Sequence, residues 1–318
     1  MNPPYTLTAE ILQLLTAISE LLGEIRVGQM DVPAPELRKQ NQIRTIHHSL
    51  KIEGNSLSEA QITALLEGKR IMGPQKDIAE VLNAISVYEQ LDTFVFFKEA
   101  SFLKAHELLM HGLISPFGVY RTQGVGIVRG DEVQHYAPPA DRVPYLMKEL
   151  FKYLRHSRDL PLVKGCVFHY ELEFIHPFLD GNGRMGRLWQ TVILAQANPV
   201  FRYLPLETVI SRRQAEYYEV LARCDKAGNS TAFIQFMLEV IQSALQERAA
   251  SRITAPRTQT ERLQYFMVLG NTTFTRADYL HVFRSISTAT ASRDLAAGVQ
   301  QGLFTKSGEK NKTVYSVG

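Results

Sequence analysis

Cysteine is nearly absent from this 318-residue chain: Cys166 and Cys224 are its two, far apart in sequence and outside any metal-ligand spacing. That excludes a disulfide framework and a cysteine zinc site, and it leaves two thiols expected to be buried in a reducing compartment. Long apolar runs are lacking as well. No stretch approaches the ~20 residues that cross a bilayer. The first residues, "MNPPYTLTAE", show no basic segment followed by an apolar one, so neither a membrane span nor a secretory leader is expected, and the cytoplasm is the expected location. Net charge is small, +3, but unevenly placed. Ser251 to Gly318 carries nine Lys/Arg against four Asp/Glu, or +5, so the residues before it sum to −2. A basic tail fits an anionic partner, and equally a solvated surface.

What is present suits a globular protein of two or three domains: 45% hydrophobic and 21% charged residues over a length that can bury a sizeable core. Apolar residues recur at helical spacing in "AEILQLLTAISELLGEI" (9–25), "ELRKQNQIRTIHHSLKIE" (36–53), "SEAQITALLEG" (58–68) and "DIAEVLNAISVYEQL" (77–91). Ser58 and Gln61 form a capping box at the start of the third. Further helices are expected near 100–113, 141–156, 160–175, 184–197, 211–226 and 230–249. One segment departs from this rhythm: "YRTQGVGIVRGDEVQHY" (120–136) alternates apolar and polar residues about "RGDE" and predicts a β-hairpin, which "APPADRVP" ends. The expected domains are an N-terminal helical region (1–95), a core (96–250), a linker (251–260) and a C-terminal domain (261–318).

The densest chemistry lies in "IHPFLDGNGRMGRLW" (175–189), between two helices. Gly181 and Gly183 permit close backbone approach and positive φ. With the N-terminus of the next helix their N–H groups form an anion cradle. Arg184 and Arg187 lie three apart on that helix and present two guanidinium forks on one face. Asp180 supplies a hard oxygen suited to Mg²⁺ shared with phosphates. His176 carries an imidazole, the side chain best suited to act as a general base for an incoming hydroxyl. Together these residues describe transfer of a phosphorus centre from a nucleotide to a hydroxyl; the bland alternative is a plain helix–turn–helix connection with Gly and Asp/Asn as caps.

The stretch "HPFLDGNGRMGR" resembles the signature of the Fic family, H-x-F-x-D/E-G-N-G-R-x-x-R, at His176, Phe178, Asp180, Gly181, Asn182, Gly183, Arg184 and Arg187. The resemblance implies a mainly α fold, a Fic helical bundle with a short β-hairpin flap, and a protein adenylyltransferase that moves AMP from ATP·Mg²⁺ to a Ser, Thr or Tyr hydroxyl of a target protein. It implies that His176 is the base, Asp180 the Mg²⁺ ligand and Asn182 a donor to the α-phosphate. Gly181 and Gly183 would present backbone to the phosphates, Arg184 and Arg187 would meet the β- and γ-phosphates, and Phe178 would pin the loop in the core. The hairpin resembles the family's flap, so Gln123, Gly124, Val125, Gly126, Ile127 and Val128 are the expected edge on which a target adds as a strand. Tyr217 and Tyr218, in "QAEYYEVL", are similarly placed to line an adenine pocket, or else to pack in the core.

"SLKIEGN" (49–55) resembles the family's inhibitory motif S/T-x-x-x-E-G/N, with Ser49, Glu53 and Gly54 in place and an N-terminal position that matches class II. The resemblance implies an inhibitory helix over about 36–54 whose Glu53 pairs with Arg187, together with self-modification once the pair is relieved. It also leaves open removal of AMP by a water that Glu53 activates. The tail "ISTATASRDLAAGVQQGLFTKSGEKNKTVYSV" (286–317) resembles a winged helix-turn-helix: Ser287 caps a recognition helix, Thr288, Thr290, Ser292 and Arg293 face a DNA groove, and Lys306, Lys310 and Lys312 of a wing meet phosphates. The competing class of function is thus a DNA-binding regulator with a nucleotide-sensing Fic fold. A homodimer is compatible with either.

Overall fold

Apolar spacing becomes helix over most of the first 250 positions in the computed structural model, which describes residues 3–27, 35–129, 132–251, 258–268, 273–283, 286–308 and 313–317. Two compact units, Met1–Ala249 and Ala250–Gly318, each have a hydrophobic core of their own.

The first unit runs α1 (Ala9–Val27), α2 (Pro35–Ile52), α3 (Glu59–Leu66), α4 (Gln75–Glu89) and α5 (Glu99–Met110), then a hairpin β1 (Gly126–Arg129) and β2 (Glu132–Tyr136). It continues through α6 (Val143–His156), α7 (Pro161–Ile175), α8 (Asn182–Ala197), α9 (Leu206–Arg212), α10 (Gln214–Ala227) and α11 (Thr231–Ser251). The capping box at Ser58 forms as its sequence predicts, with Gln61 reaching back to the cap. The single helix expected over 211–226 is two, because the backbone leaves helical geometry at Arg213, φ −109 and ψ 29.

α7 and α8 pack against each other at the centre, and both are buried nearly all round, polar residues such as His169, Glu171, Arg184 and Arg187 included. Cys166 is buried on α7 and Cys224 on α10; both thiols are free. β1 and β2 pair antiparallel, Gly126 opposite Tyr136 and Val128 opposite Val133, with a register shift between Ile127 and Val128. These strands are shorter than the 120–136 expected. At Tyr120–Val125 the chain is spent otherwise: the Arg121 N–H donates to the Pro177 carbonyl at 2.8 Å and not to a ladder.

The second unit holds α12 (Gln259–Val268), β3 (Thr273–Phe274), α13 (Arg276–Val282), α14 (Thr288–Gln300), β4 (Phe304–Ser307) and β5 (Val314–Val317), with the strands in antiparallel order β3-β5-β4. The two-residue β3 was not legible in the sequence. Ser287 caps α14, its hydroxyl accepting from the Thr290 N–H. Lys310 and Lys312 lie outside the described residues, as does most of the linker, 252–257.

On α14 the carboxylate of Asp294, 1% exposed, receives Arg262 Nε at 2.7 Å and Nη2 at 3.1 Å, and the Tyr279 hydroxyl at 3.2 Å. Removing one partner of a buried pair strands the other charge. Asp294→Ala is therefore expected to cost about 3–5 kcal/mol in the unfolding of this unit, read by denaturant titration; a cost under ~1 kcal/mol would contradict the burial argument.

Candidate active site

The turn between the two central helices holds the loop in the core. Pro177 cannot continue α7, and His176 caps it in the left-handed region, φ 48 and ψ 61, with its N–H on the Leu172 carbonyl. Gly181 at φ 88 opens α8. A side chain there would be strained and its Cβ would meet Met110 Sδ at 2.7 Å, so glycine is required twice over. Phe178, fully buried, stacks on His106 with ring centroids 3.6 Å apart and on Phe102 at 5.4 Å. Phe178→Ala should cost about 3–5 kcal/mol, measured by chemical unfolding; an undiminished midpoint would mean that the loop is not anchored by this ring.

Asn182 ties the turn to itself. Its side-chain oxygen accepts the Phe178 N–H and its amide donates to the Phe178 carbonyl, both at 2.9 Å. The side chain expected to face an α-phosphate is thus engaged within the loop. α8 begins at Asn182, two residues before the expected start. Its first i→i−4 bond runs from Met185 to Gly181, so the N–H groups of Asn182, Gly183 and Arg184 have no intrahelical partner. They are the open end of a 16-residue helix, the positive pole of its dipole and a cradle for anions.

Gly183 differs from its expectation: it sits in ordinary helical geometry, and what it provides is space. A Cβ there would lie 2.6 Å from Glu53 Oε1 and 3.1 Å from Arg187 Nη1. The Glu53 carboxylate therefore occupies the ground beside the open helix end. It accepts from Arg187 Nη2 at 2.7 Å, while Arg187 also donates to the Ser49 carbonyl at 2.9 Å and from Nε to the Ser49 hydroxyl at 3.1 Å. Burial pulls the Arg187 guanidinium down, but Glu53, Tyr217 and Glu173 together outweigh it and hold the group above its ordinary range. α2 delivers Glu53 because Gly54 ends it at φ +92, with the Asn55 N–H on the Leu50 carbonyl and the Gly54 N–H on that of Lys51.

Arg184, 4% exposed, donates to Glu80 Oε1 at 3.1 Å and to Asp180 Oδ1 at 2.9 Å. Its Nε, also buried, has no hydrogen-bond partner among the described residues. Asp180 Oδ1 also receives the Gly181 N–H, and the carboxylate is 45% exposed. A half-exposed carboxylate beside open helix N–H groups fits Mg²⁺ shared with phosphates, the usual way that ion is held. Tyr217 is 1% exposed, its ring among Phe233, Phe236 and Tyr218 and its hydroxyl 3.0 Å from His169 Nε2, so it is spent on the core; Tyr218 keeps accessible surface.

Several residues at the site carried no sequence signal. Glu80 joins Arg184 to Asn55, whose amide it receives at 2.9 Å. His106 accepts the Gly118 N–H at Nδ1, which leaves Nε2–H to donate to the Asp180 carbonyl at 3.0 Å; burial pushes its pKa down to about 4, so it is a neutral strut. Arg121, 3% exposed, donates to the carbonyls of His176, Gln123 and Ile175, tying the His176 turn to the approach of the hairpin. Glu173, beside Gly183 and Gly186, has its pKa pushed up to about 7 by burial and by Glu53.

A helical hairpin whose connecting turn offers a histidine, a carboxylate and an open helix end defines an α protein with a site suited to an anionic ligand. The Fic/DOC family model matches residues 96–194. The chain is 39% identical to a Fic family protein from Desulfovibrio desulfuricans G20 of known structure, with a TM-score of 0.79 over 100% of this chain and 98% of that one. The chain belongs to the Fic family. It is 25% identical over 244 residues to protein adenylyltransferase fic-1 of Caenorhabditis elegans, matching 74% of this chain and 46% of that one. With protein adenylyltransferase Fic of Drosophila melanogaster it is 28% identical over 246 residues, 73% of this chain and 45% of that one. The chain thus spans about half the length of these curated relatives. Fic-1 from C. elegans, at 20% identity and a TM-score of 0.65, shares the fold over 77% of this chain.

Proposed function

We propose that the chain is a protein adenylyltransferase held in check by Glu53. The observation that carries the reading is the Glu53 carboxylate lodged between Arg187 and the open N-terminus of α8, where a nucleotide's phosphates would otherwise be received. ATP would lay its phosphates against the N–H groups of Asn182, Gly183 and Arg184, with Arg187 on the γ-phosphate once Glu53 withdraws. Asp180 would hold Mg²⁺, which neutralises phosphate charge when bound. The target's hydroxyl oxygen attacks the α-phosphorus, His176 takes the hydroxyl proton, and the α–β phosphoanhydride bond breaks with pyrophosphate leaving. Arg121 fixes the backbone of His176 for that role. Tyr218 is the better candidate for the adenine, and the hairpin Gly126–Tyr136 offers strand edges to a target segment.

The test is position of label. ATP labelled at the α-phosphate should mark protein in the presence of Mg²⁺, whereas γ-labelled ATP should not; protein marked from the γ-position alone would replace adenylyl by phosphoryl transfer. A second reading rests on the 30% exposure of the Glu53 side chain: this carboxylate can also activate a water, making the chain a remover of AMP. DNA binding by the C-terminal unit, as a winged helix, is supported by the exposure of Thr288, Arg293 and Lys306; Thr290 and Ser292 are half-buried and hydrogen-bonded to Ser287 and Arg276. It predicts duplex affinity that falls steeply with salt.

A further inference from the structure

We propose that His47, His48 and Glu59 form a binding site for a first-row transition-metal cation such as Zn²⁺, joining α2 to α3 across the turn that carries Glu53. The three side chains each offer a ligand atom, and these atoms all lie within 4.8 Å of one another. His47 Nδ1 is 3.5 Å and His48 Nε2 3.8 Å from the same oxygen, Glu59 Oε1. The rings meet edge to face, centroids 4.8 Å apart, so the nitrogens converge although the residues are neighbours on one helix. A Zn²⁺ ion with ligands at about 2.1 Å sets tetrahedral donors roughly 3.4 Å apart; the Glu59 oxygen is already near that spacing from both nitrogens, so the closure needed, up to about 1.4 Å, lies between the two imidazoles and falls to rotation of their rings.

The environment prepares these donors. His47 Nδ1, the donor atom that faces Glu59, is buried without a hydrogen-bond partner among the described residues, an arrangement that a folded protein rarely leaves uncompensated; on His48 the unpartnered atom is Nδ1, the nitrogen turned away from Glu59. Burial pushes both imidazoles down, His48 to about 4, so they are neutral with lone pairs available at physiological pH. Two neutral imidazoles and one carboxylate suit Zn²⁺, Ni²⁺ or Cu²⁺ and not Mg²⁺ or Ca²⁺, which separates this site chemically from Asp180. Lys51 and Arg212 face it as positive charges and act against any cation; Glu59 opposes them. Glu59 is 46% exposed, which gives entry and leaves a fourth position to water.

Placement gives the site a consequence. His47 and His48 precede Ser49 on α2, and Glu59 is the first residue of α3 after the Ser58 cap. A metal here ties together both ends of the 53–58 turn. That such a tie would steady the Glu53–Arg187 pair rests on the proposed function; the binding itself does not.

The experiment uses the untagged full chain, stripped with chelator and titrated with Zn²⁺ under saturating Mg²⁺, with bound metal counted by equilibrium dialysis and hydrogen exchange followed in peptides spanning 50–60. The expectation is one Zn²⁺ per chain, affinity lowered by at least about tenfold in His48→Gln and in Glu59→Gln, unchanged affinity in a His176→Ala, Asp180→Ala double variant, and slower exchange on Zn²⁺ addition in the wild type and the loop variant but not in the two site variants. Far-UV circular dichroism of the two substituted proteins is expected to match the wild type. Absence of saturable binding, binding that survives both substitutions, or binding that is lost with the loop variant would each overturn the proposal, whatever the adenylyltransferase assays give.

Discussion

Glu53→Gly is expected to raise transfer of AMP from ATP by on the order of 100-fold, the scale set by a misplacement of about 1 Å at a reacting centre. In the wild type the carboxylate holds Arg187 Nη2 at 2.7 Å and fills the space over Gly183. On the proposed reading, ATP bound beside it would lack its γ-phosphate clamp, and its α-phosphorus would lie out of line. The substitution also strands a guanidinium that is 1% exposed. Arg187 keeps its two bonds to Ser49, yet losing a partner that is itself 30% exposed leaves one buried donor unmet and should destabilise the nucleotide-free variant by about 1–3 kcal/mol. ATP, which supplies an anion to the same guanidinium, should restore much of that in a thermal melt. A variant that is activated but not nucleotide-rescued would place Glu53's effect elsewhere than on Arg187.

The second large effect is loss. In the Glu53→Gly background, His176→Ala should lower transfer by roughly 10²–10⁴-fold, the contribution of a positioned general base, while nucleotide affinity changes little. The backbone explains the split: Arg121 holds the His176 carbonyl at 2.7 Å independently of the ring. The left-handed backbone at φ 48 is a strain that the native histidine already carries, so an unfolding measurement on the same variant is expected to change little and separates any structural loss from lost chemistry. Equal losses in affinity and in turnover would make His176 structural.

Helix positions were legible because burial here follows the 3.6-residue period, and Ser58 and Ser287 announce their helices by cap chemistry that depends on local sequence. The loop was legible as a motif for a similar reason: its residues lie in twelve consecutive positions. What could not be read depends on long-range geometry. Glu80 looks like any acid on a surface helix until α4 brings it to Arg184, 104 positions later. Arg121 reads as part of a strand, and the turn that it braces lies 55 residues on. Gly183 matched the motif, but for a reason that only the approach of Glu53 reveals, and Tyr217 fell to the core because three aromatic rings from α10 and α11 surround it.

The pairing of a loaded turn with a carboxylate that blocks it is tested most directly by labelling from α-labelled ATP with Mg²⁺ in three proteins side by side: wild type, Glu53→Gly, and Glu53→Gly with His176→Ala, scored on the chain itself and on a cell lysate. Strong labelling by Glu53→Gly, little by the wild type and none by the double variant is the result expected of a braked adenylyltransferase. Glu53→Gly no more active than the wild type would contradict it.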